Sequence, residues 1–572
     1  MRDVFAADTE TLRQFVAVAA GRMPADLVLA NAQIVNVYTG EIEVGNVAIH
    51  AGRIAGVGNY TDAAETVDIG GRFLAPGLID AHIHLESSLL WTTEFARAVV
   101  PHGTALTVSD PHEIANVLGV PGMRALIAGT RGLPLRCHFT MPSCVPASPA
   151  ETAGATFGPT EIAEGLEIPE IVGLGELMAY PLVVGGVPEV LARAAVAAWA
   201  GRRIDGHAPE VRGRDLQAYI AAGPCSDHES VTLAEAAEKL RRGMFVMIRE
   251  GSTEHNLEAL LPLVTDRTWP RIMFCSDDRE CGTLLHDGHM DATLHLAVAA
   301  GLDPIRAIQL CTITPARYWG FRQSGGIAPG LHADMVVLED LAQFRVLRTY
   351  HAGRLVAAEG EALFETDAQI PPLLRDTMHL RSGAFGVARL LLPFAGGTMD
   401  AVGIVPGQIV TEHLTLTPTT AGGYVVADPA RDILKLACVE RHRATGNVGV
   451  GLVVGLGLRE GAIASSVAHD AHNIIVAGAN DTDMTDAVRE VERHGGGLAL
   501  VVNGEVRGVL PLPIAGLLSD QPAAVVTAEL ERLSAMVRAL GSTLPAPFAT
   551  LSFLALSVIP AARVTDQGFV SL

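Results

Sequence analysis

Short apolar runs alternate with amphipathic segments through the middle of the chain, from residue 75 to residue 320. Apolar runs of this length, each followed by a helix-like segment, predict a parallel sheet with crossover helices. Eight such runs favour a closed (β/α)₈ barrel, whose active site would lie at the C-terminal ends of the strands. The runs are LIDAHIH, ALTVSD, RCHFTMPS, EIVGLGEL, RIDGHAP, CSDHES, MFVMIREG and IMFCSDD.

The segments on either side of the predicted barrel have different patterns. Residues 9–22 indicate an amphipathic helix, and the short, Gly-punctuated β runs of residues 1–74 and 323–366 are expected to pair into one small β domain. Residues 367–572 predict a separate α/β domain. Its predicted helices are DILKLACVERHRAT and TDAVREVERHG, and its predicted strands are VGVGLVVGLG, NIIVAG and GLALVVNG.

A long uncharged stretch from Gly541 to Ala562 has the composition of a membrane span. Prolines interrupt it, and the segment from Phe553 to Ile559 alternates in the manner of a buried strand. The N-terminus lacks the layout of a secretory signal. We therefore expect a soluble, cytoplasmic protein that does not associate with membranes.

Composition narrows the class of partner. The 572 residues are 49% hydrophobic and carry a formal charge of −22, with a mean hydropathy of +0.31. Such a chain can bury a large core, and its negative charge argues against nucleic acid or an anionic membrane as the main partner. A small neutral or cationic substrate fits better. Seven scattered cysteines without a CxxC pair favour a reducing compartment.

Histidines and carboxylates stand at the ends of several predicted strands. His82 and His84 are spaced i and i+2, so both rings point to one side of an extended strand. Singly, each of these residues could be a core histidine, a capping carboxylate or a helix N-cap. Jointly they favour a metal site. The candidate ligands are His82, His84, Glu176, His207, His228 and Asp277.

Four imidazoles and two carboxylates without a thiolate suit Mn²⁺, Fe²⁺ or Zn²⁺, and they are too many for a single catalytic Zn²⁺. Two metals are therefore expected, and a metal pair needs a bridging anion, which Glu176 can supply. The chain has only two lysines, Lys239 and Lys435. Both are predicted at solvated helix positions, and neither follows a predicted strand.

Several of these motifs carry a resemblance that extends over nearly the whole chain. PGLIDAHIHLESS, SDPHEIANVLG, GLGELM, DGHAP, SDHE, FCSDD, TPARYWG and SGGIAPGLHADMVVL resemble the adenine deaminase family of the amidohydrolase superfamily. AIASSVAHDAHNIIVAGAND and PFATLSFLALSVIP are similar to the C-terminal domain of that family.

The resemblance implies a metal-dependent hydrolase barrel flanked by a small β-sandwich domain, with a C-terminal α/β domain. Many amidohydrolases bridge their metals with a carbamylated lysine, whereas adenine deaminases place a glutamate at the position of Glu176. The resemblance also implies Mn or Fe, purine salvage by deamination of adenine to hypoxanthine and ammonia, and a homo-oligomer. By the same resemblance, the matching histidines and Asp277 would be the ligands.

The expected chemistry starts from a hydroxide shared by the two metals, with Asp277 passing its proton to the departing nitrogen. Glu113, with His112 beside it, is the candidate donor to the ring nitrogen, although Glu113 could equally begin a helix. Glu210 is a rival donor that departs from the family pattern. Glu86, Ser87 and Ser88 either line the pocket or cap the next helix, and capping is favoured.

The AHDAHN segment contains His469, Asp470 and His472. It could form a second metal site, a lid over the barrel mouth or a polar turn, and the resemblance favours the lid. Two other functions stay open at this point. One is hydrolysis of a cyclic amide, as in dihydroorotases or hydantoinases, against which the missing strand-end lysine argues. The other is a catalytically silent barrel used for assembly, although no expected ligand is missing here.

Overall fold

The computed structural model describes residues 8–366, 369–381 and 385–571. Its centre is the predicted barrel, whose strands are largely buried, as in a parallel sheet covered on both faces. In the first of them, Leu78–His84, every residue is buried. Among the described residues the barrel strands are Leu78–His84, Thr104–Ser109, Arg136–Met141, Ile171–Leu174, Arg203–Ile204, Ser226–Asp227, Phe245–Arg249 and Ile272–Cys275, with Asp277–Asp278 continuing the last.

Parallel pairing closes these strands into a barrel. The first five strands pair in sequence order, as do the last three. Between the fifth and sixth strands the Cys225 amide donates to the Ile204 carbonyl at 2.8 Å. On the other side Asp277 pairs with Ile83 of the first strand. The predicted (β/α)₈ fold class is therefore confirmed, and all the strands present their C-terminal ends at one mouth.

Helices surround the barrel at the predicted positions. The segment His112–Thr130 is helical on both sides of a break at Gly119; it starts directly after the second strand and carries His112 and Glu113 in its first turn. The helices of the described barrel segment are Thr92–Val99, His112–Thr130, Pro159–Leu166, Tyr180–Val184, Pro188–Trp199, Gly213–Ala221, Leu233–Arg241, Leu257–Leu260, Cys281–His286, Met290–Ala299, Pro304–Leu310 and Ile313–Trp319.

A β domain flanks the barrel and joins the chain before it to the chain after it. Phe73–Pro76, which leads into the barrel, pairs antiparallel with Met335–Leu338, which follows it. The two β-rich segments thus form one sheet as predicted, while the exact domain boundaries stay predictions. The helix Thr9–Ala19 precedes the described strands Ala25–Asn36, Glu41–His50, Arg53–Gly58, Ala63–Asp68, Phe73–Pro76, Met335–Leu338, Val346–His351, Arg354–Ala358 and Glu361–Ala362.

The C-terminal domain contains a second large sheet, and helix Asp481–Arg493 packs against it. In spatial order, its described strands are Thr411–Leu416, Met399–Ile404, Val448–Val454, Ile433–Val439, Ile474–Gly478, Ala462–Ser465, Gly497–Val502 and Glu505–Pro511. Two hairpins, Thr419–Ala421 with Tyr424–Val426 and Ala562–Thr565 with Gly568–Ser571, and helices Ala523–Ala539 and Pro547–Phe553 complete the domain.

Two predictions for this domain are wrong. The segment predicted as the helix DILKLACVERHRAT contains a strand, Ile433–Val439, in which every residue is buried. A strand covered on both faces has no alternation, so its apolar run imitates a helix face. The segment from Phe553 to Ile559 is not a strand, because a helix ends at Phe553 and an irregular stretch follows it.

The C-terminal domain lies over the mouth of the barrel. The Ser519 amide donates to the Leu89 carbonyl, which follows the first barrel strand, at 2.8 Å. Asn473 Nδ2 donates to the carbonyl of Thr152, in the loop after the third strand, at 2.9 Å. Loops at the catalytic end of the barrel are therefore covered by the C-terminal domain. None of the helices in the described ranges combines the length and the apolar character that crossing a membrane requires.

Candidate metal centre

The six candidate ligands come together at the barrel mouth. His82 Nε2 lies 3.3 Å from Glu176 Oε1 and 3.5 Å from Asp277 Oδ1. The rings of His82 and His228 stack with their centroids 4.1 Å apart. Side chains from the first, fourth, fifth, sixth and eighth strands thus form one cluster, made of His82, His84, Glu176, His207, His228 and Asp277.

Glu176 sits between two pairs of histidines. Its Oε1 lies 2.9 Å from His84 Nε2 and 3.3 Å from His82 Nε2. Its Oε2 lies 2.6 Å from His207 Nδ1 and 3.5 Å from His228 Nε2. Each carboxylate oxygen therefore faces a different pair of imidazoles, which is the arrangement that a bridging carboxylate requires.

The backbone around Glu176 is fixed by a close approach of the second barrel strand. The Glu176 amide donates to Asp110 Oδ2 at 2.9 Å, and the Ser143 hydroxyl donates to the Glu176 carbonyl. A Cβ atom at position 175 would overlap the Asp110 carboxylate, so Gly175 is needed for this contact. The glycine before Glu176 thus has a steric role in placing the carboxylate.

Hydrogen bonds on the far side of the rings orient the first two histidines. His82 Nδ1 donates to Asp205 Oδ2 at 2.9 Å, and His84 Nδ1 donates to the Asp110 carbonyl at 3.1 Å. Both Nε2 atoms are thereby left as acceptors, and they face each other at 3.2 Å. Two lone pairs at this distance fit a cation between or beside them, which is how metal-binding histidines are commonly held.

His228 gives a second sign that the cluster fits metal ions. Its imidazole is 1% exposed, and neither of its ring nitrogens has a hydrogen-bond partner among the described residues. A buried nitrogen without a partner is costly unless a metal or a water satisfies it. The donor set of imidazoles and carboxylates suits Mn²⁺, Fe²⁺ or Zn²⁺. The residues therefore fit the divalent metals that the pattern predicts.

Asp277 is paired with a buried arginine. Arg249 Nη1 donates to Asp277 Oδ2 at 2.7 Å and also to Glu229. Burial alone would raise the pKa of Asp277, but the charge of Arg249 and the neighbouring His82 and His84 hold it well below its usual value. Asp277 also takes a left-handed backbone conformation with a φ of 61°, which is uncommon outside glycine and occurs at functional sites.

The prediction that the lysines are solvated is wrong. Lys239 is fully buried, and its ammonium donates to Asp227 Oδ2 at 2.8 Å and to Glu235 Oε1 at 2.8 Å. It also donates to the carbonyl of Ala208 at 2.6 Å, while Asp227 Oδ1 accepts from the Ala208 amide at 3.0 Å. The residues that adjoin His207 and His228 are therefore tied to one buried ammonium.

Lys435 is also buried, in the strand Ile433–Val439 of the C-terminal domain. Its ammonium donates to Asp481 Oδ2 and to the Leu390 carbonyl, both at 2.8 Å. Acidic partners inside the fold allow both lysines to be buried, and such tertiary partners are not visible in the local pattern.

The predicted proton donor lines the same cavity as the ligands. Glu113 is 1% exposed, and burial together with the charge of Glu86 raises its pKa well above the usual value. Ser87 lies beside it, with its hydroxyl 3.4 Å from Glu113 Oε1 and donating to Asp278. Glu86 accepts from the Ile114 amide at 3.4 Å. Ile114 lies in the first turn of the helical segment His112–Thr130, so Glu86 makes the helix-capping contact that the sequence favours.

The rival donor does not reach the cavity. Glu210 is exposed, and its amide donates to Glu235 Oε1 at 2.9 Å. It is not among the residues that line the cavity around the ligands.

The AHDAHN segment reaches the cavity from the C-terminal domain. His469 Nδ1 lies 3.4 Å from Glu113 Oε1, and Asp470 Oδ1 lies 3.6 Å from His112 Nε2. Burial alone would lower the pKa of His112, but the charge of Asp470 raises it to about 10. His472 points back into its own domain, where its Nδ1 accepts from the Ala468 amide at 3.2 Å. The segment is thus part of the domain interface, as the lid interpretation requires.

Several side chains that surround the ligands were not predicted from the sequence. Arg249 and Asp205 stand inside the runs MFVMIREG and RIDGHAP, next to the strand ends that identified the ligands. A buried charge at the end of a predicted strand was the available signal for both. Lys239 gave no such signal, because its role depends on contacts between distant segments.

Comparison with known proteins agrees with this geometry. Residues 73–356 match the amidohydrolase family, and residues 408–572 match the adenine deaminase C-terminal domain. An adenine deaminase of Dehalococcoides mccartyi is 48% identical over 561 residues, covering 98% of both chains. Adenine deaminase 2 of Carboxydothermus hydrogenoformans is 47% identical over 562 residues, again covering 98% of both chains.

One solved structure similar to part of this chain is an L-hydantoinase (dihydropyrimidinase) from Arthrobacter aurescens. It is 17% identical, with a TM-score of 0.43, and the match covers 60% of this chain and 98% of that one.

Proposed function

Because this chain belongs to the adenine deaminase family, we propose that it is a metal-dependent aminohydrolase that converts adenine and water to hypoxanthine and ammonia. The observation that carries the proposal is the position of Glu176, whose two oxygens face separate pairs of histidines. A carboxylate in this position replaces the modified lysine of related hydrolases. Neither lysine of the chain lies at this place. The Lys239 ammonium donates to the carbonyl of Ala208, which follows His207, and Lys435 lies in the C-terminal domain.

The donor set supports a proposal of two cation positions. His82, His84 and Asp277 would hold one metal ion, and His207 and His228 the other, with Glu176 shared between them. Mn²⁺ or Fe²⁺ is the proposed pair, with Zn²⁺ as the alternative. When bound, such a pair lowers the pKa of its water from 15.7 toward about 7 and stabilises developing negative charge.

Asp277 is placed to move a proton. Its carboxylate is held ionised by Arg249, so it can accept a proton from the attacking water. The water oxygen bonds to the ring carbon that carries the amino group, and the bond from that carbon to nitrogen then breaks. Asp277 delivers the proton to the departing nitrogen, which leaves as ammonia. Arg249 also fixes the carboxylate between the ligands and Glu229.

Glu113 is the proposed donor to the ring nitrogen. Burial and the charge of Glu86 raise the pKa of its carboxyl well above the usual value, which favours the protonated form. A neutral acid in a low-dielectric cavity can donate to the nitrogen on which negative charge develops. Ser87 and His469 hold its oxygen, at 3.4 Å each. His112 in the same helix turn would add positive charge to this side of the cavity.

The direct test is turnover of adenine by purified protein loaded with Mn²⁺ or Fe²⁺. Ammonia release and the ultraviolet change from adenine to hypoxanthine should appear in equal amounts and vanish after chelation. The Asp277→Asn variant should fold but lose turnover, because its amide cannot carry the proton. Hydrolysis of a cyclic amide without any release of ammonia from adenine would refute the proposal.

A further inference from the structure

The cavity that contains the metal ligands has two chemically different sides. The barrel side carries the imidazoles, the carboxylates and Arg249. The opposite side comes from the C-terminal domain and is largely apolar. Its apolar lining residues are Ile409, Phe553, Leu556, Val558 and Ile559. All of these except Ile409 lie in the segment from Phe553 to Ile559 that the sequence pattern predicts as a buried strand.

Resting on the proposed deaminase function, we propose that Phe553 is a specificity-determining residue whose ring packs against the planar face of the purine base. Phe553 is the aromatic side chain of the cavity lining that carries no charge or hydrogen-bonding group. It is half-buried, and it lines the metal-ligand cavity as well as two adjoining cavities. Every purine base presents a π face that such a ring can stack on.

Phe553 is held in place before any ligand binds. One face of its ring stacks on the imidazole of His469, with centroids 4.6 Å apart and planes 11° apart. The His469 amide donates to the carbonyl of Ser552, the residue before Phe553, at 3.1 Å. The end of helix Pro547–Phe553 and the AHDAHN segment therefore form one unit. A preorganised ring loses little conformational freedom when the base binds.

The barrel residues and the apolar lining residues recognise different features of the ligand. The aliphatic neighbours Leu556, Val558 and Ile559 offer no side-chain hydrogen bonds, so contacts with them and with Phe553 depend only on the shape and the planarity of the ligand. The ring nitrogens and the amino group must be recognised by barrel residues such as Glu113. Loss of the Phe553 ring should thus weaken binding of substrate and product alike, with a smaller effect on the chemical step.

The test uses the full metal-loaded chain with three variants, Phe553→Ala, Phe553→Leu and the control Phe548→Leu. Phe548 is 3% exposed and belongs to the same helix, but it does not line the catalytic cavity. KM and kcat for adenine, the inhibition constant of hypoxanthine and metal content per chain are measured for each.

Phe553→Ala should raise KM and the hypoxanthine inhibition constant together by roughly ten-fold or more, the scale of base–aromatic stacking. Phe553→Leu should raise both by a smaller factor, because it keeps the apolar volume but not the planar face. Metal content should be unchanged, and Phe548→Leu should leave both constants near the wild-type values. If Phe553→Ala does not fold, Phe553→Leu carries the comparison.

Unchanged KM and inhibition constants in a folded Phe553 variant would overturn this inference, as would a loss confined to kcat. Equal increases in the Phe548→Leu control would overturn it too, because the effect would then belong to the packing of the helix. Failure of the wild-type chain to deaminate adenine would overturn the proposed function itself. The two failures are therefore distinguishable in the same set of measurements.

Discussion

Replacing Lys239 with methionine should weaken metal binding although Lys239 touches no ligand side chain. The ammonium joins the carbonyl of Ala208 to the carboxylate of Asp227, and these two residues adjoin His207 and His228. Methionine keeps the length and the apolar stem of lysine but removes all of these hydrogen bonds. The segments that carry the two histidines would then keep the direct hydrogen bond from the Ala208 amide to Asp227 Oδ1 but lose the buried cation that neutralises this carboxylate.

The size of the effect on stability follows from burial. Asp227 and Glu235 have side-chain exposures of 0% and 2%, so Lys239→Met leaves two buried carboxylates without their cation. Breaking a buried ion pair by removing one partner costs about 3–5 kcal/mol. Loss of a group that orients a metal ligand from behind typically weakens metal affinity by about 10- to 100-fold.

The matched control is Lys435→Met, since Lys435 is equally buried but lies in the C-terminal domain. Its partner Asp481 is 19% exposed and can turn to solvent, so the cost should be lower, about 1–3 kcal/mol. Both variants should unfold at lower denaturant concentration than the wild type. Competition with a chelator should show weaker metal retention only in Lys239→Met. Equal metal retention in the two variants would refute the positioning role of Lys239.

Three further predictions concern the surroundings of the ligands. Asp205→Ala should weaken metal affinity by about 10- to 100-fold, measured by chelator competition, because His82 would lose the acceptor that orients its ring; wild-type affinity would contradict this. Glu113→Gln should retain more turnover than Glu113→Ala, since the amide can still donate a hydrogen bond; equal kcat values in the two would rule out a donor role. His469→Ala should leave the metal content of the barrel intact by elemental analysis, and loss of the metals would show that this histidine is a ligand.

The ligands could be found from the sequence because each interrupts an apolar run at the same relative place. A buried parallel strand needs a continuous apolar run, so a carboxylate such as Glu176, which follows the run IVGLG, stands out where the strand ends. Parallel strands bring such ends to one edge, and the eight-fold repeat then predicts that they meet. The proximity of Glu176 and His82 could therefore be predicted from the sequence.

The missed features depend on contacts between segments that are distant in sequence. Lys239 has the local pattern of an exposed helix residue, and only the fold places Asp227 and Ala208 around it. The buried strand that contains Lys435 imitates a helix, because both of its faces are covered and no alternation remains. Phe553 lies at the end of a short helix, and its proposed role depends on the barrel residues that line the same cavity.

The account depends most on Glu176 as the group that holds two cations, and metal content per chain tests this directly. Wild-type protein loaded with Mn²⁺ or Fe²⁺ and freed of excess metal should contain two divalent ions per chain. Glu176→Gln keeps the side-chain volume but offers only one acceptor oxygen, so it should retain at most one ion and lose adenine turnover. A wild-type chain that saturates at a single ion, or a Glu176→Gln variant that retains two, would contradict the account.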